Sequence, residues 1–430
     1  MTDTGYRPPW LDYYNRPAHD PSFPAFNPNW TKSAHDHGVG FFAPWEEVDA
    51  GFPEHARRCA VALAATGIPL HLRSVTGGMQ FHTAKDPEAA KGALAMKRRL
   101  EALLTASVKH YDVAVYQVIA DDASLFRLGA PTHPHMDAEQ LAHVHSRRIV
   151  STVFERDRVS ESVAWCLKRL GGVWVANQQD RRMLLAAGLS ESRVRVVPAP
   201  YFSIDPHLGL DGRQRLPGPV RFYHIGKWEP RKGQHRMLGA FLLAFRPGEA
   251  KLYMKTSLGG PKLTTYPASA AASLTEWLAD ERIQARGWNM GELNRNVFVI
   301  QRRLSTEQMV ELHRQGDVYV TLSHGEGFDM PAFDSKLAGN LMVYTPSGGP
   351  QDFAGDADEL VAAARTIPCD PFYGWGDACY LDYDMDAAVE SLRRSKRRIE
   401  AGERRRGMVP APFSADVVGA SMREAVEALR

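Results

Sequence analysis

A chain of 430 residues is too long for one hydrophobic core and suits two or three domains. Its 44% hydrophobic and 24% charged residues are the balance of a globular protein in water, not of a disordered or membrane-embedded chain. A formal net charge of +2 supplies no overall field that would select nucleic acid or a membrane.

The first predicted element is an arm, 1–30. Its stretch "RPPWLDYYNRPAHDPSFPAFNPNW" carries six prolines and six aromatics, which block helix and central strand alike. Such an arm packs on its own domain or touches a partner or acceptor. The domain predicted over 31–200 alternates strand-like and amphipathic helical runs. "GVGFFAPW", "IPLHLRSV", "YDVAVYQVI", "RIVSTVFE", "GVWVAN" and "RVRVVPAP" are its strands, and "PEHARRCAVALAATG" is its first helix. Strands separated by helices of this length indicate βαβ units around a parallel sheet. The periodicity lapses over 201–219, a Gly/Pro-rich linker, and restarts over 220–405. There "VRFYHIG", "AKLYMKTS", "NVFVIQ", "DVYVTLS" and "NLMVYTP" are strands, and "HRMLGAFLLAF", "STEQMVELHRQG" and "PAFDSKLAG" are helices. The middle helix opens with a capping box from Ser305 to Gln308. Two doubly wound α/β halves facing across a cleft is the expected fold class.

Cys59, Cys166, Cys369 and Cys379 show no C-x-x-C spacing, which argues against a zinc site or disulfide framework and fits a reducing, cytoplasmic compartment. Neither a signal-peptide run nor an apolar stretch of membrane-spanning length is present. The histidines of "THPHMDAEQLAHVHSRR" have metal-like spacings but equally suit a solvated loop. The basic stretch 391–407 holds eight Lys or Arg; it reads as a solvated helix face, or as a peripheral contact with an anionic membrane surface or nucleic acid.

Two motifs carry chemistry. In "LSHGEGFDMPAFDSKLAGN" a strand runs into a turn and a short helix, with Pro331 at the predicted helix start and Gly339 just past its end. Ligands of open α/β sheets bind at such strand ends, and a helix N-terminus suits phosphate or sugar hydroxyls. Glu326 in the turn and Asp334 one turn into the helix can face one pocket; the alternative is an N-cap carboxylate and a surface Asp. In "FYHIGKWEPRKGQHRMLGAF" a Gly after a strand is followed by Lys227, then by Lys232 and Gly233, two cations on a loop that can clamp a diphosphate.

In this order the two motifs resemble the C-terminal domain of family 4 glycosyltransferases, which have the GT-B fold of two Rossmann-like domains. That pattern is Gly-Arg, Lys-Gly, then Glu-Gly-Phe-Gly-x-Pro and a second Glu. Lys227 stands in place of the usual Arg, Asp329 in place of a Gly, and Asp334 in place of the second Glu. "SGGPQDF" resembles the family's Gly-Gly segment, and "FSADVVGASMREAVEAL", within 406–430, resembles its last helix, which returns to the first domain.

The resemblance implies a retaining, hexosyltransferase-like enzyme that moves a sugar from a nucleoside-diphosphate sugar, UDP- or GDP-linked, to a hydroxyl acceptor. Glycan, lipid-linked and protein acceptors stay open. It implies no permanently bound cofactor, no metal and no protein nucleophile, the leaving phosphate assisting on the front face. Lys227 and Lys232 would hold the diphosphate, Glu326 the sugar and Asp334 the ribose. Gly226, Gly327, Phe328, Asp329 and Met330 would complete the nucleotide-sugar site, with Gly51 on the reduced glycine loop of the first domain. Glu155 stands where many members have His, near the donor sugar; Asp157 and Arg158 are acceptor-side candidates, and an Arg–Glu pair tying strand to helix is the alternative for Glu155. Removal of the Lys232 side chain is expected to weaken nucleotide binding with little effect on stability. Rival readings are an epimerase or hydrolase of the same fold, and a non-catalytic binding protein using the basic segment.

Overall fold

The computed structural model describes residues 34–44, 51–74, 107–120, 147–201, 216–257, 267–302, 304, 306–369, 376–403 and 411–430. The predicted arm, most of the linker, the histidine-rich stretch and Ser305 lie outside these residues. The chain forms two units. The first gathers the described parts of 34–154, 159–201 and 411–430; the second gathers those of 216–403 together with 155–158.

In the first unit, β1 (Ala34–Ala43), β2 (Leu70–Ser74), β3 (Ser107–Gln117), β4 (Arg148–Thr152), β5 (Gly172–Val175) and β6 (Val194–Val196) form one sheet in the order β2-β1-β3-β4-β5-β6. All its pairings are parallel. Every residue of β5 is buried, as expected where helices cover both faces of a parallel sheet. Helices α1 (Gly51–Ala65), α2 (Glu161–Leu167) and α3 (Gln178–Ala186) belong to this unit.

The second unit repeats the plan with β7 (Val220–Ile225), β8 (Ala250–Lys255), β9 (Val297–Ile300), β10 (Val318–Thr321), β11 (Leu341–Tyr344) and β12 (Glu359–Leu360), in the order β12-β11-β10-β7-β8-β9. An antiparallel hairpin, β13 (Ala363–Pro368) and β14 (Cys379–Tyr383), follows. Its helices are α4 (Gln234–Ala244), α5 (Ala270–Trp277), α6 (Glu281–Gln284), α7 (Met290–Asn296), α8 (Thr306–Gln315), α9 (Met330–Leu337), α10 (Pro350–Phe353) and α11 (Met385–Glu400). Phe222, Leu238, Phe241, Leu252, Val318 and Leu341 form the centre of its core. The chain winds from β7 outward through β8 and β9, then returns beside β7 with β10 and winds the other way. The point of reversal lies between the carboxyl ends of β7 and β10, where open α/β sheets bind ligands. Both predicted motifs occupy that point.

The last helix, α12 (Ala415–Glu427), packs within the first unit. Val418, Met422 and Val426 join the core that contains Ala60, Val61 and Leu63 of α1. Gly419 permits the approach: a Cβ there would stand 2.5 Å from the Ala62 carbonyl oxygen. Arg195 and Glu424 bridge at 3.0 Å.

The described part of the basic stretch forms the later turns of α11. On α11, Leu392, Ser395 and Ile399 are buried. Arg393 donates to the carbonyls of Leu243 and Ala244, each at 3.1 Å. Arg394 and Arg398 reach Glu359 at 2.8 and 3.4 Å, Lys396 reaches Glu400 at 2.7 Å and Arg397 reaches Glu390 at 2.7 Å. Each of these described cations meets a carbonyl or a carboxylate.

Candidate functional site

The loop after β7 and the turn after β10 meet because of glycine. Gly233, at φ +65°, starts α4 against the end of β10; a Cβ there would stand 2.3 Å from the Leu322 carbonyl oxygen. No residue with a side chain fits without displacing that strand end. The approach brings Lys232 to Glu326, with Nζ 2.6 and 2.7 Å from the two carboxylate oxygens. The Ser323 hydroxyl donates to Oε1 at 2.6 Å, and the Glu326 amide donates to the Ser347 hydroxyl at 2.9 Å. The turn is wholly buried from Leu322 to Met330.

The Gly-Gly segment braces this turn from behind. Gly348 has φ +64°, and a Cβ would fall 1.9 Å from the Glu326 carbonyl oxygen; Gly349 donates to Gly327 at 2.8 Å. The Phe328 ring packs against Phe333 and Phe353 with centroids 5.1 and 5.5 Å away, so its side chain anchors the turn.

A cation missed in the sequence reading, Arg231, organises the other side. It is buried, and its guanidinium lies 3.1 Å from Glu155, 2.5 Å from Glu229 and 3.6 Å from Glu326, donating to the Gly325 carbonyl at 2.6 Å. Its signal was present in "EPRKG", where it directly precedes Lys232. Burial alone would raise the Glu326 carboxyl; the cations of Lys232 and Arg231 overcome that and hold it below its ordinary value. Burial alone would likewise lower the Lys232 ammonium, and Glu326 reverses this. Burial pushes the Glu155 carboxyl up, against the pull of Arg231 and Lys232.

Glu155 therefore meets Arg231 as the alternative reading has it, but the arginine comes from the lysine-bearing loop of the second unit. Residues 155–158, which the sequence reading places in the N-terminal domain, group with the second unit. The Glu155 carbonyl oxygen lies against Gly325, where a Cβ would stand 2.1 Å away. Asp157 and Arg158 are tied down in the same unit. The Asp157 amide donates to Cys379 at 3.1 Å, its carboxylate accepts from the Cys379 amide at 2.7 Å, and Arg158 reaches Asp377 at 3.2 Å. Both residues brace the start of β14.

Asp329 has φ +61°, the one non-glycine residue with positive φ among those described. This explains the glycine expected there, and Asp is among the few residues that tolerate the conformation. Its carboxylate caps α9 by accepting from the Ala332 amide at 3.2 Å, and accepts the Thr321 hydroxyl at 2.6 Å. Burial, reinforced by the charge of Glu326, pushes it up to about 6. The cap makes Met330 the first helical residue and Pro331 the second, one position later than the sequence suggests. Asp334 stands one turn in and partly exposed, and Gly339, at φ +78°, ends the helix.

Lys227 is exposed on its loop, and its amine makes no hydrogen bond or ion pair among the described residues. The loop itself is held from below. His224 Nδ1 donates to the Val320 carbonyl at 2.8 Å, leaving Nε2 to accept from Gln234 at 3.4 Å; the same Gln234 amide donates to the Lys227 carbonyl. Burial lowers His224 to about 4, so the ring is neutral, as this tautomer requires. A Cβ on Gly226 would stand 2.7 Å from that ring. Gly51 opens α1 in the first unit and is exposed. Among the described residues no three His, Cys, Asp or Glu converge as a metal-holding group, and no helix is long and apolar enough to cross a membrane.

No family model matches the chain. A D-inositol 3-phosphate glycosyltransferase from Acidothermus cellulolyticus is 25% identical over 178 residues, which is 40% of this chain. The matched region spans only 37% of that relative's length. Among solved structures, the Anabaena protein HepE in complex with UDP and glucose superposes with a TM-score of 0.52 at 12% identity, covering 91% of this chain and 97% of that one. A sucrose-phosphate synthase from Thermosynechococcus elongatus gives 0.51 at 14% identity over 91% and 94%. The lipopolysaccharide outer core galactosyltransferase WaaB gives 0.52 at 12% over 91% and 99%. The two parallel six-stranded sheets with their helices are those of the GT-B fold of two Rossmann-like domains.

Proposed function

We propose that the protein is a nucleotide-sugar-dependent glycosyltransferase that transfers a hexosyl group to a hydroxyl acceptor with retention of configuration. The observation that carries this reading is the buried Lys232–Glu326 pair at the point where the second sheet reverses its winding. A cation and a carboxylate side by side suit the two halves of a sugar nucleotide: Lys232 for diphosphate oxygens, Glu326 for sugar hydroxyls. Lys227, exposed on the same loop, would close on the diphosphate from solvent. Together with the N-terminus of α9, these cations would stabilise the charge that develops on the leaving nucleoside diphosphate. Asp334 would accept from the ribose. Glu155, held by Arg231, would face the transferred sugar, and no protein nucleophile or metal is invoked.

UDP, GDP, ADP and dTDP, each with and without glucose, test the reading by thermal shift. A ligand at a hundred times its dissociation constant stabilises the native state by about 2.7 kcal/mol. UDP-glucose is the first donor to try, since HepE is described with UDP and glucose. An inositol phosphate belongs among the acceptors, given the name of the curated relative. Turnover that needs no acceptor would favour an epimerase or hydrolase instead. The absence of any nucleotide response would refute the donor site.

A further inference from the structure

We propose that the Lys232–Glu326 ion pair makes the site prefer a nucleoside diphosphate that still carries its sugar over the spent nucleoside diphosphate. This deepens the donor-site reading and rests on it. In the free protein Lys232 is held by both oxygens of Glu326, 2.6 and 2.7 Å away. Those oxygens offer the ammonium what two phosphate oxygens would offer. A diphosphate that takes Lys232 must therefore draw it away from Glu326.

The carboxylate left behind is poorly placed to stand alone, because Glu326 is almost fully buried. The Ser323 hydroxyl remains at 2.6 Å. Arg231 remains at 3.6 Å, but it already serves Glu155 at 3.1 Å, Glu229 at 2.5 Å and the Gly325 carbonyl at 2.6 Å. A buried carboxylate deprived of its partner is strongly destabilised. A sugar nucleotide meets both demands together: its phosphates accept from Lys232 while its hydroxyls donate to Glu326. The bare diphosphate takes the cation and leaves the carboxylate unserved. After transfer, Glu326 recaptures Lys232 and displaces the product.

Isothermal titration of the full chain with UDP, GDP, ADP and dTDP, and with the glucose conjugate of each, tests this. The wild-type protein should bind one conjugate about tenfold or more tighter than its bare diphosphate. Glu326→Gln keeps the shape of the side chain but removes the competing charge. It should tighten the bare diphosphate by roughly tenfold, the scale of one charge-assisted contact, and erase the preference. Glu326→Asp, which shortens the reach to Lys232, should move affinity the same way and reads the effect should the Gln variant fail to fold. Glu390→Gln removes an exposed carboxylate that pairs with Arg397, outside the site, and should change diphosphate affinity by less than about threefold, a surface-scale electrostatic effect. Unchanged or weaker diphosphate binding in the Glu326 variants, or equal tightening in Glu390→Gln, overturns the inference while leaving the donor site standing, provided a conjugate binds. If no nucleotide binds any of these proteins, the donor site and the inference fall together.

Discussion

Lys232→Ala is the perturbation that most directly tests the geometry. From sequence alone the residue looks like a ligand-binding surface cation whose removal leaves stability alone. In the structure its ammonium contacts both oxygens of Glu326, whose side chain is 4% exposed, while that of Lys232 is 18% exposed. Removing one partner of a buried pair costs on the order of 3–5 kcal/mol, because the other charge stays buried. Ser323 and the guanidinium of Arg231 still face Glu326, so the lower end applies, about 3 kcal/mol. For a unit of this size each kcal/mol moves the melting temperature by about 2–4 °C, so the second unit should melt roughly 6–12 °C lower near neutral pH.

The sign with pH follows from the Glu326 carboxyl, held below its ordinary value in the native state. Its contribution is present above the unfolded carboxylate value and is lost as pH falls through the lower folded one. The gap between variant and wild type should therefore narrow on acidification, where Glu326 is protonated in both. Calorimetric scans at several pH values measure this, with Lys232→Met as a control that keeps the aliphatic stem. Adding Glu326→Gln to Lys232→Ala should recover much of the loss. A Lys232→Ala melting temperature within a degree of wild type at neutral pH would refute the argument, because the pair would then contribute nothing in solution.

Further expectations test the surrounding frame. Asp329→Asn should stabilise the second unit above pH 7 by roughly 1–2 kcal/mol and give no gain near pH 4: the carboxyl is raised to about 6, so its ionisation costs stability as pH rises through that value, and Asn tolerates the positive φ. The difference in melting temperature between Asp329→Asn and wild type, followed against pH, checks this; a flat difference contradicts it. His224 and, in the first unit, His55 are each lowered to about 4 by burial, so their contribution to stability is complete above about pH 6.5 and is lost towards pH 4, about 3 kcal/mol for each. His224→Gln should flatten that acid limb for the second unit alone, as read by scanning calorimetry. Gly348→Ala, whose Cβ would fall 1.9 Å from the Glu326 carbonyl oxygen, should displace the turn, lower the melting temperature and abolish the UDP or GDP thermal shift together. Asp334→Ala should weaken a bare nucleoside diphosphate about tenfold by titration, the worth of one hydrogen bond to a charged group.

Much of this was legible in the chain itself, because the signals are local. Apolar runs of four to six residues, broken by amphipathic stretches, announce buried parallel strands and covering helices, and the two halves of the pattern announce two sheets. Gly233 and Gly339 both take a positive φ that favours glycine, which is why "KG" and "AGN" stand out before any fold is known. The chemistry of Lys232 and Glu326 was legible too, as residue types on loops at strand ends. Their meeting was not. Ninety-four positions separate them, and only the order β12-β11-β10-β7-β8-β9, which seats β10 beside β7, puts one against the other. The same holds for Arg231, an ordinary loop cation until folding surrounds it with Glu155, Glu229 and Glu326. Local sequence limits each residue's own conformation and charge, whereas a pair's interaction depends on distance and on the exclusion of water, and strand order and burial create both.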